Sequence, residues 1–111
     1  MMDITVTMEA QTASIIRELG IPVHRIGYSL LCAAIPYYRA DVTRSLSKEV
    51  YPYAAERFGC VNEQAVEQAI RAVIRTAFTL GDKDAWERYF PGIRKTPTNK
   101  QFIATVAQRL G

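Results

Sequence analysis

Five polar side chains between residues 64 and 75 fall on one helical face: Gln64, Glu67, Gln68, Arg71 and Arg75. In the same stretch Val66, Ala69, Ile70, Val73, Ile74, Ala77 and Phe78 recur at the i, i+3, i+4, i+7 spacing of a helix with one buried face. At about 100° per residue the amides and guanidiniums lie opposite that face, with Glu67 at its edge. A guanidinium pairs with guanine, an amide with adenine, and a carboxylate accepts from cytosine N4. The chemistry on offer is recognition of a duplex. Gln64, Glu67, Gln68 and Arg71 are the candidate base readers.

Those residues need a rigid helix and a mount for it. The pattern predicts a recognition helix over Glu63–Leu80, with Asn62 as its cap and Glu63 in the first turn complementing the dipole. A preceding helix ends at Phe58, and Gly59 supplies the positive φ of a tight exit. Ala55, one turn before Gly59, is small enough to let the two helices pack closely. Two helices joined by a short glycine-containing turn form the skeleton of a helix-turn-helix.

Net charge is only +3, and its distribution says more than its size. Residues 88–111 hold Arg88, Arg94, Lys95, Lys100 and Arg109 and no acid, while the remaining 87 residues hold nine bases and eleven acids. The positive field therefore belongs to the C-terminal quarter, where phosphate contacts are expected. Arg75, Arg94, Lys95, Thr98 and Lys100 are the candidate phosphate contacts. The bland reading of the same run is a solvated basic tail.

The rest of the chain must form the body that carries this helix. Thr7 is placed to cap a first helix running to Leu19, with Ala10, Ala13, Ile16 and Leu19 near one stripe and residues 1–6 frayed or extended. Gly20 and Pro22 end it. A second, core helix spans residues 25–39 with Ile26, Leu30, Leu31, Ala34, Ile35 and Tyr38 inward, and Pro36 should kink or shorten its end. His24 just before it reads as packed or capping. Ser45 or Ser47 caps a short helix over residues 46–51, and Pro52 breaks it or opens the next. Gly81 caps the recognition helix. Trp86, Tyr89 and Phe90 come from one short helix stopped by Pro91-Gly92, anchoring it on the core or offering a partner surface. Thr98 and Gln101 form a capping box for a last helix with Phe102, Ile103, Val106, Ala107 and Leu110 inward. No strand-like alternation appears, so the expected fold is all-α, a bundle of about six helices.

At 111 residues the chain supports one domain, residues 1–111, with no room for a second. Its composition, 49% hydrophobic and 23% charged, is that of a globular domain, and no apolar run approaches the roughly 18 residues of a membrane span. The Met-Met-Asp start lacks the basic and apolar regions of a signal peptide. Cys32 and Cys60 read as small buried hydrophobes in a reducing cytoplasm. With His24 as the only histidine and no Cys-x-x-Cys, neither a metal nor another cofactor is expected. An enzyme has no support: there is no paired acid and base, phosphate-cradling glycine loop or activated nucleophile.

Four stretches carry a resemblance: Gly-Ile-Pro-Val-His-Arg-Ile-Gly-Tyr (20–28), Tyr-Pro-Tyr-Ala-Ala-Glu-Arg-Phe (51–58), Val-Glu-Gln-Ala-Ile-Arg (66–71) and Pro-Thr-Asn-Lys-Gln-Phe-Ile-Ala (97–104). In this order, and over nearly the whole chain, the sequence resembles the C-terminal DNA-binding domains of the sporulation master response regulators of endospore-forming bacteria. The resemblance implies a six-helix fold and a sequence-specific transcription factor of the cytoplasmic nucleoid. It further implies short DNA boxes bound as a tandem pair by a homodimer, and contact with RNA polymerase. In that family the recognition helix reads Val-Glu-Arg-Ala-Ile-Arg-His, whose Glu and first Arg read bases. Here Glu67 and Arg71 are kept, Gln68 replaces the base-reading arginine and Ala72 the histidine, and the preceding turn is one residue longer. Those departures alter the expected target sequence. The family's phosphoacceptor domain has no counterpart here, so no receiver domain is expected.

The competing expectation is a protein-interaction module that keeps this fold without binding DNA. Glu63 and Glu67 weaken the positive field at the start of the helix. It predicts no duplex binding at low salt and an exposed aromatic patch near residues 86–90.

Overall fold

The computed structural model describes residues 4–111, with side chains described from residue 7 onward. Six α-helices and one π-helical turn build the described chain, and no strand occurs among the described residues. In order they are α1 (Ile4–Glu18), α2 (Ile26–Ala40), the π-helical turn Leu46–Val50, α3 (Tyr51–Phe58), α4 (Glu63–Leu80), α5 (Lys83–Tyr89) and α6 (Asn99–Ala107). The expected all-α architecture is the observed one.

Helix α2 is the hub, packed against α1, α3, α4 and α6. Leu30, Leu31, Ala34 and Ile35 are fully buried in it. A helix that is apolar nearly all round has to be buried. Burial on several sides also explains why Pro36 does not shorten it. The helix runs on to Ala40 with Pro36 buried inside, against an interior-proline cost of about 3 kcal/mol. Ile26, expected inward, is half exposed, and Gly27 makes the contact instead. A Cβ on Gly27 would lie 2.6 Å from the Ala69 carbonyl oxygen and 2.7 Å from Val73 Cγ2, so α2 meets α4 backbone to backbone.

Helix α1 begins at Ile4, so Thr7 lies inside it and is not its cap. The expected extended segment falls outside the described residues at positions 1–3 and is helical at 4–6. Packing of α1 along α2 outranks the weak propensity of the β-branched Ile4, Thr5 and Val6. Its buried stripe is Thr12, Ile16 and Leu19, while Ala10 is exposed. The Thr12 hydroxyl donates back to the Met8 carbonyl at 2.7 Å. The helix ends as the sequence predicts, with Gly20 at φ 95 and the Ile21 N–H returning to the Ile16 carbonyl at 2.9 Å. His24 is exposed, and the N-cap of α2 is Arg25, without a side-chain capping bond.

Short elements follow their signals. The Ser45 hydroxyl, not Ser47, caps the π-helical turn by accepting from Lys48 N–H at 3.2 Å. Pro52 is the second residue of α3, which continues directly from that turn. Gly81 caps α4 as expected, its N–H returning to the Ala77 carbonyl at 2.7 Å, but its geometry differs. Its φ is −77, so it is no left-handed cap. It is small because a Cβ there would lie 2.3 Å from the Leu19 carbonyl oxygen. The same carbonyl accepts from Trp86 Nε1 at 2.9 Å, and the Ala77 carbonyl shares that donor at 3.1 Å. Trp86, Phe90 and Phe102 pack ring against ring with centroids 5.0 to 5.9 Å apart. Trp86 on α5 and Phe90, just past its end, are buried and anchor it on the core, and no exposed aromatic patch forms. Cys32 and Cys60 are half-buried, less enclosed than expected, and burial pushes the Cys32 thiol up to about 11. No described helix is long and apolar enough to cross a membrane.

Candidate nucleic-acid interface

The interface is built on α4. Asn62 Oδ1 caps it by accepting from the Ala65 N–H at 2.9 Å, as the sequence predicts. Just before, Gly59 takes φ 68 and the Cys60 N–H returns to the Ala55 carbonyl at 2.8 Å, closing α3 and setting the turn. Val66, Ile70, Val73, Ile74 and Ala77 are buried. Gln64, Gln68, Arg71 and Arg75 are exposed on the opposite face, and Glu67 is half exposed at its edge. The two faces of an 18-residue amphipathic helix are thereby fixed by burial of one of them.

Arg71 Nη2 pairs with Glu67 Oε1 at 2.5 Å, one helical turn apart. The pair orders the guanidinium along the helix and offsets part of its charge. Gln64 and Gln68 are uncommitted, since no side chain or carbonyl among the described residues holds either amide.

A cleft of about 410 Å³ opens between α4 and the start of α6, and Glu67, Arg71, Arg75, Thr98, Asn99 and Lys100 all line it. The capping box forms as expected: Thr98 Oγ1 accepts from Gln101 N–H at 3.1 Å, and Gln101 Oε1 accepts from Thr98 N–H at 2.9 Å. The first-turn N–H groups of Asn99 and Lys100 have no helical partner, and they lie at the positive end of the α6 dipole. Arg94 and Lys95 line a neighbouring groove with Gln101, on the far side of Thr96 and Pro97, which border both spaces. The fold thus gathers Glu67, Arg71, Arg75, Thr98 and Lys100 into one cleft. Arg94 and Lys95 lie beside it, and Gln64 and Gln68 on the open ridge of α4.

Charge pairing divides the cations. Arg57 is bound by Glu9 and Arg88 by Glu18. Among the described residues no acid pairs with Arg75, Arg94, Lys95 or Lys100. An unpaired surface cation keeps its full charge for an incoming anion.

Two residues of this site escaped the sequence reading. Asn99 is nearly fully buried, and its Nδ2 donates to Tyr51 Oη at 3.2 Å and to the Glu67 carbonyl at 3.0 Å. Burial raises the Tyr51 hydroxyl above its ordinary pKa, so it stays protonated. One amide thus joins α3, α4 and α6. The available signal was an asparagine directly after a capping threonine, where no capping role remained for it.

Two amides followed by two guanidiniums on an exposed helix, beside a cationic cleft at a second helix start, make a surface shaped for a polyanion with readable edges. A family model described as sporulation initiation factor Spo0A C terminal matches residues 12–110. That match spans nearly the whole sequence, and the chain therefore belongs to this family of DNA-binding effector domains of transcription regulation.

Proposed function

We propose that this chain is a sequence-specific regulator that binds double-stranded DNA by laying α4 in the major groove. The observation that carries the reading is the uncommitted Gln64–Gln68 ridge flanked by a cleft whose cations Arg75 and Lys100 have no acid partner among the described residues. Gln64, Glu67, Gln68 and Arg71 face base edges. Arg75, Thr98 and Lys100, with Arg94 and Lys95 beside them, hold phosphates and set the register. An α-helix fits a major groove about 12 Å wide, and phosphate contacts fix orientation while base-edge contacts specify sequence. Family membership supports two further parts of the proposal: pairing of two copies on tandem sites and contact with RNA polymerase. The exposed aromatic patch that the interaction-module alternative predicts does not form, because Trp86 and Phe90 are in the core.

Fluorescence anisotropy with labelled duplexes across a salt series tests the reading. If three or four cations neutralise phosphates, log affinity falls with log salt at a slope of about −3. A flat salt response, or no binding at about 50 mM salt, overturns it.

A further inference from the structure

Gln68 divides the exposed face of α4. Taking about 100° per residue, Arg75, Arg71 and Glu67 lie at roughly −20°, −60° and −100° from it, and Ala72, Ala69 and Val73 at roughly +40°, +100° and +140°. The first three line the cleft toward α6. The second three line a separate, smaller cleft of about 230 Å³, whose other wall is Arg25, Ile26 and Gly27 at the start of α2. The recognition ridge is therefore walled on both sides. A helix seated in a major groove has one phosphate strand along each flank.

We propose that Arg25 binds a backbone phosphate on the DNA strand opposite the one held by Lys100 and Arg75. The inference rests on the DNA-binding reading and extends it to a two-sided grip. Four observations support it. Arg25 is exposed, and among the described residues no acid pairs with its guanidinium. Its backbone is fixed, with its N–H bonded to the Pro22 carbonyl and its carbonyl accepting from Tyr28 N–H at 3.0 Å. Two residues on, Gly27 abuts the Ala69 carbonyl so closely that a Cβ would lie 2.6 Å away, which ties Arg25 to α4 with little play. Ala72 and Ala69 offer no bulk between Arg25 and the ridge, so the arginine stem can lie along that flank with its head toward the groove edge. The start of α2 thus does on one side what the start of α6 does on the other.

The test compares wild type with Arg25→Ala, Arg25→Lys and Lys100→Ala by anisotropy, on duplexes carrying single neutral methylphosphonate linkages walked along either strand. Arg25→Ala should reduce the salt slope by about 0.9 and weaken all sequences alike, and Arg25→Lys should keep the slope. One linkage should weaken wild type and Lys100→Ala but leave Arg25→Ala unaffected, and it should lie on the strand opposite the linkage to which Lys100→Ala has become insensitive. An unchanged slope in Arg25→Ala overturns the proposal while leaving DNA binding intact. So does a changed ranking of base sequences, which would make Arg25 a base reader, or insensitivity of the two variants on the same strand. Salt-independent or absent binding by wild type overturns the DNA reading and this inference together. Arg25 is an exposed cap without a capping bond, and matching circular dichroism of Arg25→Ala and Arg25→Lys controls for folding.

Discussion

Asn99 Nδ2 donates to the Glu67 backbone carbonyl at 3.0 Å, tying the first turn of α6 to the second turn of α4. Glu67 lines the cleft, so this bond sets the distance between α4, the proposed reading helix, and the start of α6, the proposed phosphate site. The second hydrogen of the same amide goes to Tyr51 Oη. Asn99→Ala leaves the buried Tyr51 hydroxyl without this donor, at an expected cost of about 1–3 kcal/mol in urea denaturation. DNA affinity should fall with no change in salt slope, because no cation is lost. An unaltered urea midpoint would show that the network contributes nothing.

Gly27 holds α2 against α4. In an ordinary helix interior Gly→Ala gains about 1 kcal/mol of propensity. Here the new Cβ meets a backbone carbonyl at 2.6 Å and Val73 at 2.7 Å, and overpacking of this kind costs about 1–3 kcal/mol. Since the nearest neighbour is backbone, the expected sign is destabilising, with α4 displaced. Thermal denaturation of Gly27→Ala checks it, and a raised midpoint would contradict it.

Gln68 lies on the exposed ridge between the two clefts. An amide matches adenine N6 and N7, whereas arginine matches guanine O6 and N7, each good bidentate pair discriminating by about 1–3 kcal/mol. The operator should therefore prefer adenine at the base Gln68 faces, by roughly five- to a hundred-fold. Gln68→Arg should move the preference toward guanine without loss of stability, because the position is solvent-facing. Titration of both proteins against duplexes differing at that one base pair decides it; identical preferences would place Gln68 on water or phosphate.

Glu18 is held below its ordinary pKa of 4.5, first by the Tyr89 hydroxyl, which donates to it at 2.9 Å, and next by Arg88. A carboxylate whose folded pKa is depressed stabilises the fold above its unfolded pKa, and that contribution is lost as pH falls through the folded value. The bond links the end of α1 to α5. Glu18→Gln should flatten the acid limb of the stability profile below about pH 4.5 and leave its shape above neutrality unchanged. Thermal melts from neutral pH down to about pH 3 measure this, and an identical acid limb would show the carboxylate to be uncoupled from folding.

The sequence by itself determined the helices with strong local signals. The period of α4, its Asn62 cap, the αL glycines at 20 and 59 and the Thr98–Gln101 box are interactions within a few residues, so their spacing encodes them. The exposed face of α4 followed from the same period, because burying one side of a helix fixes the other. Where propensity and packing compete, the local signals pointed elsewhere: α1 extends back to Ile4, Pro36 does not shorten the end of α2, and Ile26 turns outward while Gly27 turns in. Only the tertiary structure decided that Arg75 and Lys100 share a cleft while Arg94 and Lys95 lie beyond it. It alone placed Asn99 between Tyr51 and Glu67, and Arg25 across the ridge from α6. These partners are 32 to 48 residues apart in the chain for Asn99, and no periodicity spans such a distance. Such contacts are set by how α2 and α6 seat against α4, which depends on side-chain volumes summed over the whole core.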